Sequence, residues 1–238
     1  MRALSRLIAT VCRAAARGRS AEVRSRMLSA HSRLVDLSGR RIAGYLSVMR
    51  DMLRILNAEG MVHADECALL MQLAARVHEG VIVELGSYRG RSTVALALGS
   101  KRGARVPVHA VEPHARFTGV LGAEFGPEDR LAFERNIARS GADDLVQHIA
   151  RHSEKAVEGW SQPIGLLWID ADHAYEAVRR DFSLWTRHLT PGGVVALDDS
   201  TVPGIGPYRV VQESLASGRY AVADAAGKIT VLVRRAAD

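Results

Sequence analysis

Along this chain, short apolar runs alternate with stretches whose apolar residues recur at intervals of three and four. The runs Val81 to Leu85, Val106 to Val111, Leu145 to Ala150, Ile164 to Ile169 and Gly193 to Leu197 read as strands, and the last two are too apolar for a surface position. Helical spacing covers Ala64 to Val77, Ser92 to Leu98, Pro127 to Arg139, a crossover within Tyr175 to Leu189, and Pro207 to Leu215. Tyr220 to Asp224 and Lys228 to Arg234 flank Ala225-Ala226-Gly227, which reads as a hairpin turn. Strict alternation closing in a hairpin predicts an α/β fold: a doubly wound, mostly parallel, seven-stranded sheet with one antiparallel strand.

The pattern before Gly60 differs. Ile42, Tyr45, Leu46, Met49, Met52, Leu53 and Leu56 predict one helix, with Arg50, Asp51 and Arg54 facing away and an end near Asn57 to Gly60. On a helical wheel of residues 2–17, Arg2, Arg6, Arg13 and Arg17 share an arc of roughly 60°, opposite Leu4, Leu7, Ile8, Val11 and Ala15. Such a basic amphipathic helix could lie on an anionic membrane, pack on a partner subunit or cover its own domain. Ala14-Ala15-Ala16 resembles a signal cleavage site, but Leu7 to Cys12 is shorter than a signal core of about 7 to 15 residues. Residues 18–40, rich in Ser and Arg with weaker apolar periodicity, are open between helix, linker and partial disorder. The expected organisation is an Arg-rich helical extension over 1–60 and a catalytic body over 61–238.

Composition narrows the function classes. The 238 residues carry a net charge of +6, yet residues 1–60 hold twelve Arg and four acidic residues, leaving 20 basic and 22 acidic residues on the remainder. The body is therefore slightly acidic, and nucleic acid is not an expected partner. Cys12 and Cys67 stand far apart, which excludes a disulfide framework and a cysteine metal site and suits a reducing cytoplasm.

Two places hold candidate chemistry. The loop Glu84-Leu85-Gly86-Ser87-Tyr88-Arg89-Gly90 joins the first strand to its helix, where glycines let a ligand approach the backbone and the helix offers free N–H groups. Its G-x-x-x-G spacing is not the dinucleotide fingerprint, so a dehydrogenase is not expected. Glu112 closes the second strand, 26 residues after Gly86, where a carboxylate can accept both hydroxyls of a ribose. Further on, Asp170-Ala171-Asp172-His173 and Asp198-Asp199 each follow an apolar strand. A right-handed strand-helix-strand unit brings both clusters to one sheet edge, where their charges repel unless protons or a cation compensate. Alternatively, each Asp caps the element that follows it.

Together these residues resemble class I S-adenosylmethionine-dependent methyltransferases over roughly Met61 to Asp238. Ile169 to Glu176, with Leu189-Thr190-Pro191-Gly192-Gly193 and Asp198-Asp199, looks like bacterial O-methyltransferases of glycans and macrolide sugars, and is also similar to the metal-dependent catechol and caffeoyl-coenzyme A type. The resemblance implies a Rossmann-like methyltransferase fold. It implies cofactor contacts at Glu84, Gly86, Ser87, Tyr88 and Gly90 of this loop, with Ser92 near the methionine carboxylate, Glu112 on the ribose and Asp170 facing cofactor and metal. Ser153 falls where the family meets the adenine, though it could equally cap a helix. Met61 resembles a segment covering the methyl donor, with a gap one residue shorter. Asp170, Asp198 and Asp199 match the positions of three Mg²⁺ ligands, Asp199 replacing the Asn of the catechol type. His173 stands where that type has Lys and suits the role of base, with Asp170 as the alternative base, or else it only bonds within its turn.

The expectation is therefore a cytoplasmic, homo-oligomeric O-methyltransferase using S-adenosylmethionine and Mg²⁺ on a small glycosylated or sugar-containing acceptor. A catechol or phenol acceptor is the alternative. A non-enzymatic interaction protein, binding membrane or a partner through its Arg-rich helices, is the alternative of another class.

Overall fold

A computed structural model describes residues 43–235, so the basic helix expected over 2–17 and the ambiguous segment 18–40 lie outside the described residues. Residues 43–57 are helical (α1), and from Met52 onward the chain forms one compact unit. In that unit α2 (Ala64–Ala75) precedes β1 (Val81–Leu85), α3 (Arg91–Arg102) and β2 (Val108–Val111). A two-residue pair, β3 (Phe117–Thr118) and β4 (Glu124–Phe125), leads to α4 (Asp129–Ser140), β5 (Val146–Ile149) and the short α5 (Ser153–Ala156). Then come β6 (Ile164–Ile169), α6 (Tyr175–Trp185), β7 (Leu189–Leu197), α7 (Gly206–Ala216), β8 (Tyr220–Ala226) and β9 (Ile229–Arg234).

The main sheet has seven strands in the order β5-β2-β1-β6-β7-β9-β8. All pairs from β5 to β7 are parallel, while β9 is antiparallel to both β7 and β8, so β9 alone runs against the rest. The chain winds outward from β1 to β2 and β5, then returns to β6 and winds the other way. Ligands of such sheets bind at the strand ends flanking this reversal, between β1 and β6. Burial on both faces explains the unbroken apolar runs: Val81 to Leu85 is buried throughout, and Trp168 and Trp185 are fully enclosed in the core. Helices α2 and α3 approach closely at Gly99, where a Cβ would sit 2.3 Å from the Met71 carbonyl oxygen.

The structure departs from the sequence pattern in four places. The β3–β4 pair arises where the pattern reads only a loop, because two-residue strands are too short to show a period. Strand β7 starts at Leu189, not Gly193: its pairing jumps from Ile164↔Leu189 to Leu166↔Val194, and a bulge absorbs Thr190 to Gly193. The last hairpin turns at Gly227-Lys228, with Ala226 paired to Ile229 and a positive φ of 54° at Gly227, so Lys228 sits in the turn and not in a strand. Helix α1 does not bury the stripe expected of it. Ile55 and Ala58 are buried while Leu53 and Leu56 are exposed, and just past the helix the Arg91 guanidinium donates to the carbonyls of Ala58 and Val62.

Candidate functional site

The ends of β1 and β6 are laced together. Asp170 N–H donates to the Leu85 carbonyl (2.8 Å), and Gly86 N–H donates to that of Val111 (3.0 Å). Gly86 has a φ of +84°, and a Cβ there would lie 2.2 Å from the Asp170 carbonyl oxygen, so no other residue fits this crossing. Gly90, also left-handed, starts α3, and its N–H closes the loop onto the Ser87 carbonyl (2.7 Å). Tyr88 holds a positive φ of 46° between them.

Two carboxylates shape this loop from opposite sides. Beneath it, Glu84 is fully buried and accepts from the hydroxyls of Ser87 (2.9 Å) and Thr93 (2.5 Å). Burial pushes its pKa to about 7, although bonds from Ser92, Thr93 and Ser87 oppose the rise. On the open side, Glu112 accepts from the backbone N–H groups of Ser87 (3.2 Å), Tyr88 (3.3 Å) and His114 (2.9 Å). Glu112 lines a cavity of about 310 Å³ together with Gly86, Tyr88, Ser153 and Asp170, whereas Glu84, expected among the cofactor contacts, is buried beneath the loop, does not line this cavity and braces the loop from below. Ser153 opens α5, its hydroxyl donating to Asp181 (2.6 Å) and capping nothing. Asp181 lines the same cavity, its carboxyl pushed up to about 6, chiefly by burial. Sequence reading passes over Asp181, because only the fold sets α6 beside Ser153.

Tyr88, Phe117, Phe125, Asp170 and Ala171 form a shared wall between this cavity and a smaller one of about 130 Å³. The aromatic part of that wall is packed, with Phe117 stacked on Phe125 and Tyr88 edge-on to it. Ser92, Asp198, Asp199, His173 and Lys228 supply polar lining to the smaller cavity, and Met61, Val120 and Leu121 an apolar rim. The smaller cavity thus joins an ionic floor to a greasy entrance.

The two acidic clusters do converge. His173 Nε2 lies 3.4 Å from Asp170 Oδ1, and its Nδ1 lies 3.2 Å from Asp199 Oδ2. Ligand atoms of Asp170, His173 and Asp198 all fall within 4.8 Å of one another, while Asp199, the third residue of the expected set, faces Lys228 at 2.5 Å. Burial first, and then Asp198, hold the Asp170 carboxyl well above the usual carboxylate range. Burial also raises Asp198, against the pull of Lys228. Asp172 accepts from Ala174 N–H (2.9 Å) and so begins α6, and Tyr175 bonds Glu213 away from the cleft. Two buried polar atoms, Asp198 Oδ1 and His173 Nε2, make no hydrogen bond. Carboxylate oxygens with an unused lone pair, gathered beside an imidazole, fit a hard divalent cation. Lys228 escapes the sequence reading because the pattern places it in a strand; the two-residue Gly-Lys turn is the signal that locates it.

A family model described as a methyltransferase domain matches residues 83–200, which run from β1 through both acidic clusters. Among solved structures, the chain is similar to an O-methyltransferase from Bacillus cereus in complex with SAH, at 17% identity and a TM-score of 0.56, over 80% of this chain and 90% of that one. TomG, an O-methyltransferase from Streptomyces achromogenes involved in tomaymycin synthesis and solved with SAM, gives 18% identity and a TM-score of 0.55, over 74% and 82%. A putative O-methyltransferase from Klebsiella pneumoniae gives 17% and 0.58, over 80% and 90%. At these identities the likeness is one of fold. An uncharacterised protein of Acanthamoeba polyphaga mimivirus is 37% identical over 59 residues, 23% of this chain and 27% of that protein's length.

Proposed function

We propose that this chain, a class I S-adenosylmethionine-dependent methyltransferase, places a methyl group on a hydroxyl oxygen of a small molecule. The observation that carries this reading is the shared wall: a cavity bordered by Gly86 and Glu112 meets, at Asp170 and Tyr88, a second cavity floored by the acidic cluster and His173. One holds a nucleoside-bearing donor and the other an acceptor. When bound, S-adenosylmethionine supplies an electrophilic sulfonium methyl, and Mg²⁺ lowers the pKa of an acceptor hydroxyl.

The remaining work falls to side chains. Glu112 has lone pairs left for ribose hydroxyls beyond its three backbone bonds, and the left-handed glycines let the loop backbone meet the methionine end. Asp170 and Asp198 would hold the cation. Asp199 Oδ2, 3.2 Å from His173 Nδ1, would orient the imidazole so that Nε2 takes the acceptor's proton. The aromatic wall excludes water and keeps acceptor and donor on one line.

A sugar-bearing acceptor suits this division, its hydroxyl over the ionic floor and its apolar body against Phe117, Val120 and Leu121. The same rim is compatible with a catechol or phenol, so the acceptor experiment must separate them. Calorimetry with S-adenosylhomocysteine tests the donor half, and absence of binding at high ligand concentration would sink every methyltransferase reading. Mass spectrometry of methylated products from glycoside and catechol panels, with and without chelator, tests the rest. Full turnover in excess chelator would remove Mg²⁺ from the mechanism, and methylation of catechols alone would overturn the sugar assignment.

A further inference from the structure

Lys228 reaches the acidic floor from the opposite end of the sequence. Its Nζ lies 2.5 Å from Asp199 Oδ1 and 3.6 Å from Asp198 Oδ2. The backbone that carries it is fixed on both sides. Lys228 N–H donates to Glu66 Oε1 (2.9 Å), and its carbonyl accepts from the Ser200 N–H and hydroxyl (3.0 Å each). Glu66 is itself fully buried, and its other oxygen accepts from His63 N–H (2.7 Å). A surface lysine on a free loop would have none of these restraints, and about a third of this side chain remains exposed.

We propose that Lys228 is a tethered cation of the acceptor site, one that withholds Asp199 from any divalent ion and lowers the affinity of Asp170 and Asp198 for it. The inference rests on the assignment of those two carboxylates to a metal. Its physical basis is simple. An ammonium and a divalent ion that share Asp198 as a neighbour repel each other at short range, and burial of that carboxylate leaves the repulsion poorly screened. Asp199, already bonded to Lys228 and facing His173, is left to position the imidazole.

Mn²⁺ alone, titrated by calorimetry and by its paramagnetic resonance signal, is the probe. In the full chain, Lys228→Met should bind Mn²⁺ at least about tenfold more tightly than the unmodified protein, while Lys228→Arg, which keeps the charge, should stay within about threefold. Mn²⁺ should also raise the melting temperature of Lys228→Met more than that of the unmodified protein. Lys228→Gln, neutral but polar, gives the same comparison if the methionine variant does not fold. Equal Mn²⁺ affinity in neutral and charged variants, or no Mn²⁺ binding to either neutral variant, overturns the proposal. S-adenosylhomocysteine is titrated in parallel. Its failure to bind the unmodified protein would overturn the methyltransferase reading, and the Mn²⁺ comparison decides the role of Lys228 whichever way that result falls.

Discussion

Residues at the ends of strands carry most of this site, and their roles follow from which partners each one has. Glu112 is the clearest case. Charged hydrogen bonds of its kind contribute about 1.5–3 kcal/mol, so Glu112→Ala should weaken S-adenosylhomocysteine binding by about 10- to 100-fold in calorimetry. Unchanged affinity would move the ribose elsewhere. Glu84 makes a prediction about pH. Its folded pKa of about 7 lies above an ordinary value of 4.5, so the folded protein holds a proton there that the unfolded chain releases. Its contribution to stability is full below about pH 4.5 and is lost as the pH rises through 7, a change on the order of 3 kcal/mol. Asp181, raised from 3.8 to about 6, acts in the same sense over a lower window. Thermal melts from pH 4 to 8 should therefore show a decline that is shallower in Glu84→Gln, and parallel curves would refute it. Gly86, Glu112 and the Asp pairs were legible as site positions because each ends an apolar run and needs only local pattern to be found, whereas Glu84 stood out by the same pattern but braces the loop from its buried side. Lys228 and Asp181 were not, since their partners lie 29 and 28 residues away and no local period records such a contact.

At the level of elements, the alternation of strand and helix was legible almost throughout, because buried parallel strands leave unbroken apolar runs. What the pattern lacked was register. The bulge at Thr190 to Gly193 and the turn at Gly227-Lys228 change which residues pair, and pairing depends on the neighbouring strand as much as on the strand itself. Helix α1 misled for the opposite reason: it has a regular apolar stripe, yet Leu53 and Leu56 remain exposed. The crossing of β1 and β6 gives the sharpest prediction at this scale. Gly86→Ala would drive a Cβ into the Asp170 carbonyl and strain a left-handed backbone, and chemical denaturation should register a loss of about 2–4 kcal/mol. A loss below about 1 kcal/mol would mean that the two strand ends separate easily.

The whole molecule joins a slightly acidic body to an Arg-rich N-terminal region. Among the described residues no helix is long and apolar enough to cross a membrane. We expect removal of residues 1–40 to leave S-adenosylhomocysteine affinity unchanged while altering subunit mass or liposome binding. If neither changes, the extension serves only its own domain. The exposed Leu53, Leu56 and Met61 offer apolar surface for a second subunit in the first of those outcomes. A different consequence comes from the bond between Lys228 and Glu66, which spans 162 residues of sequence. Contacts so distant along a chain are entropically costly to close and form late in folding. The residues that line the donor cavity, from Gly86 to Asp181, all precede the final hairpin in the chain. During synthesis, then, the donor half can assemble first, and the acceptor floor gains its counter-charge only once the final hairpin has emerged and docked.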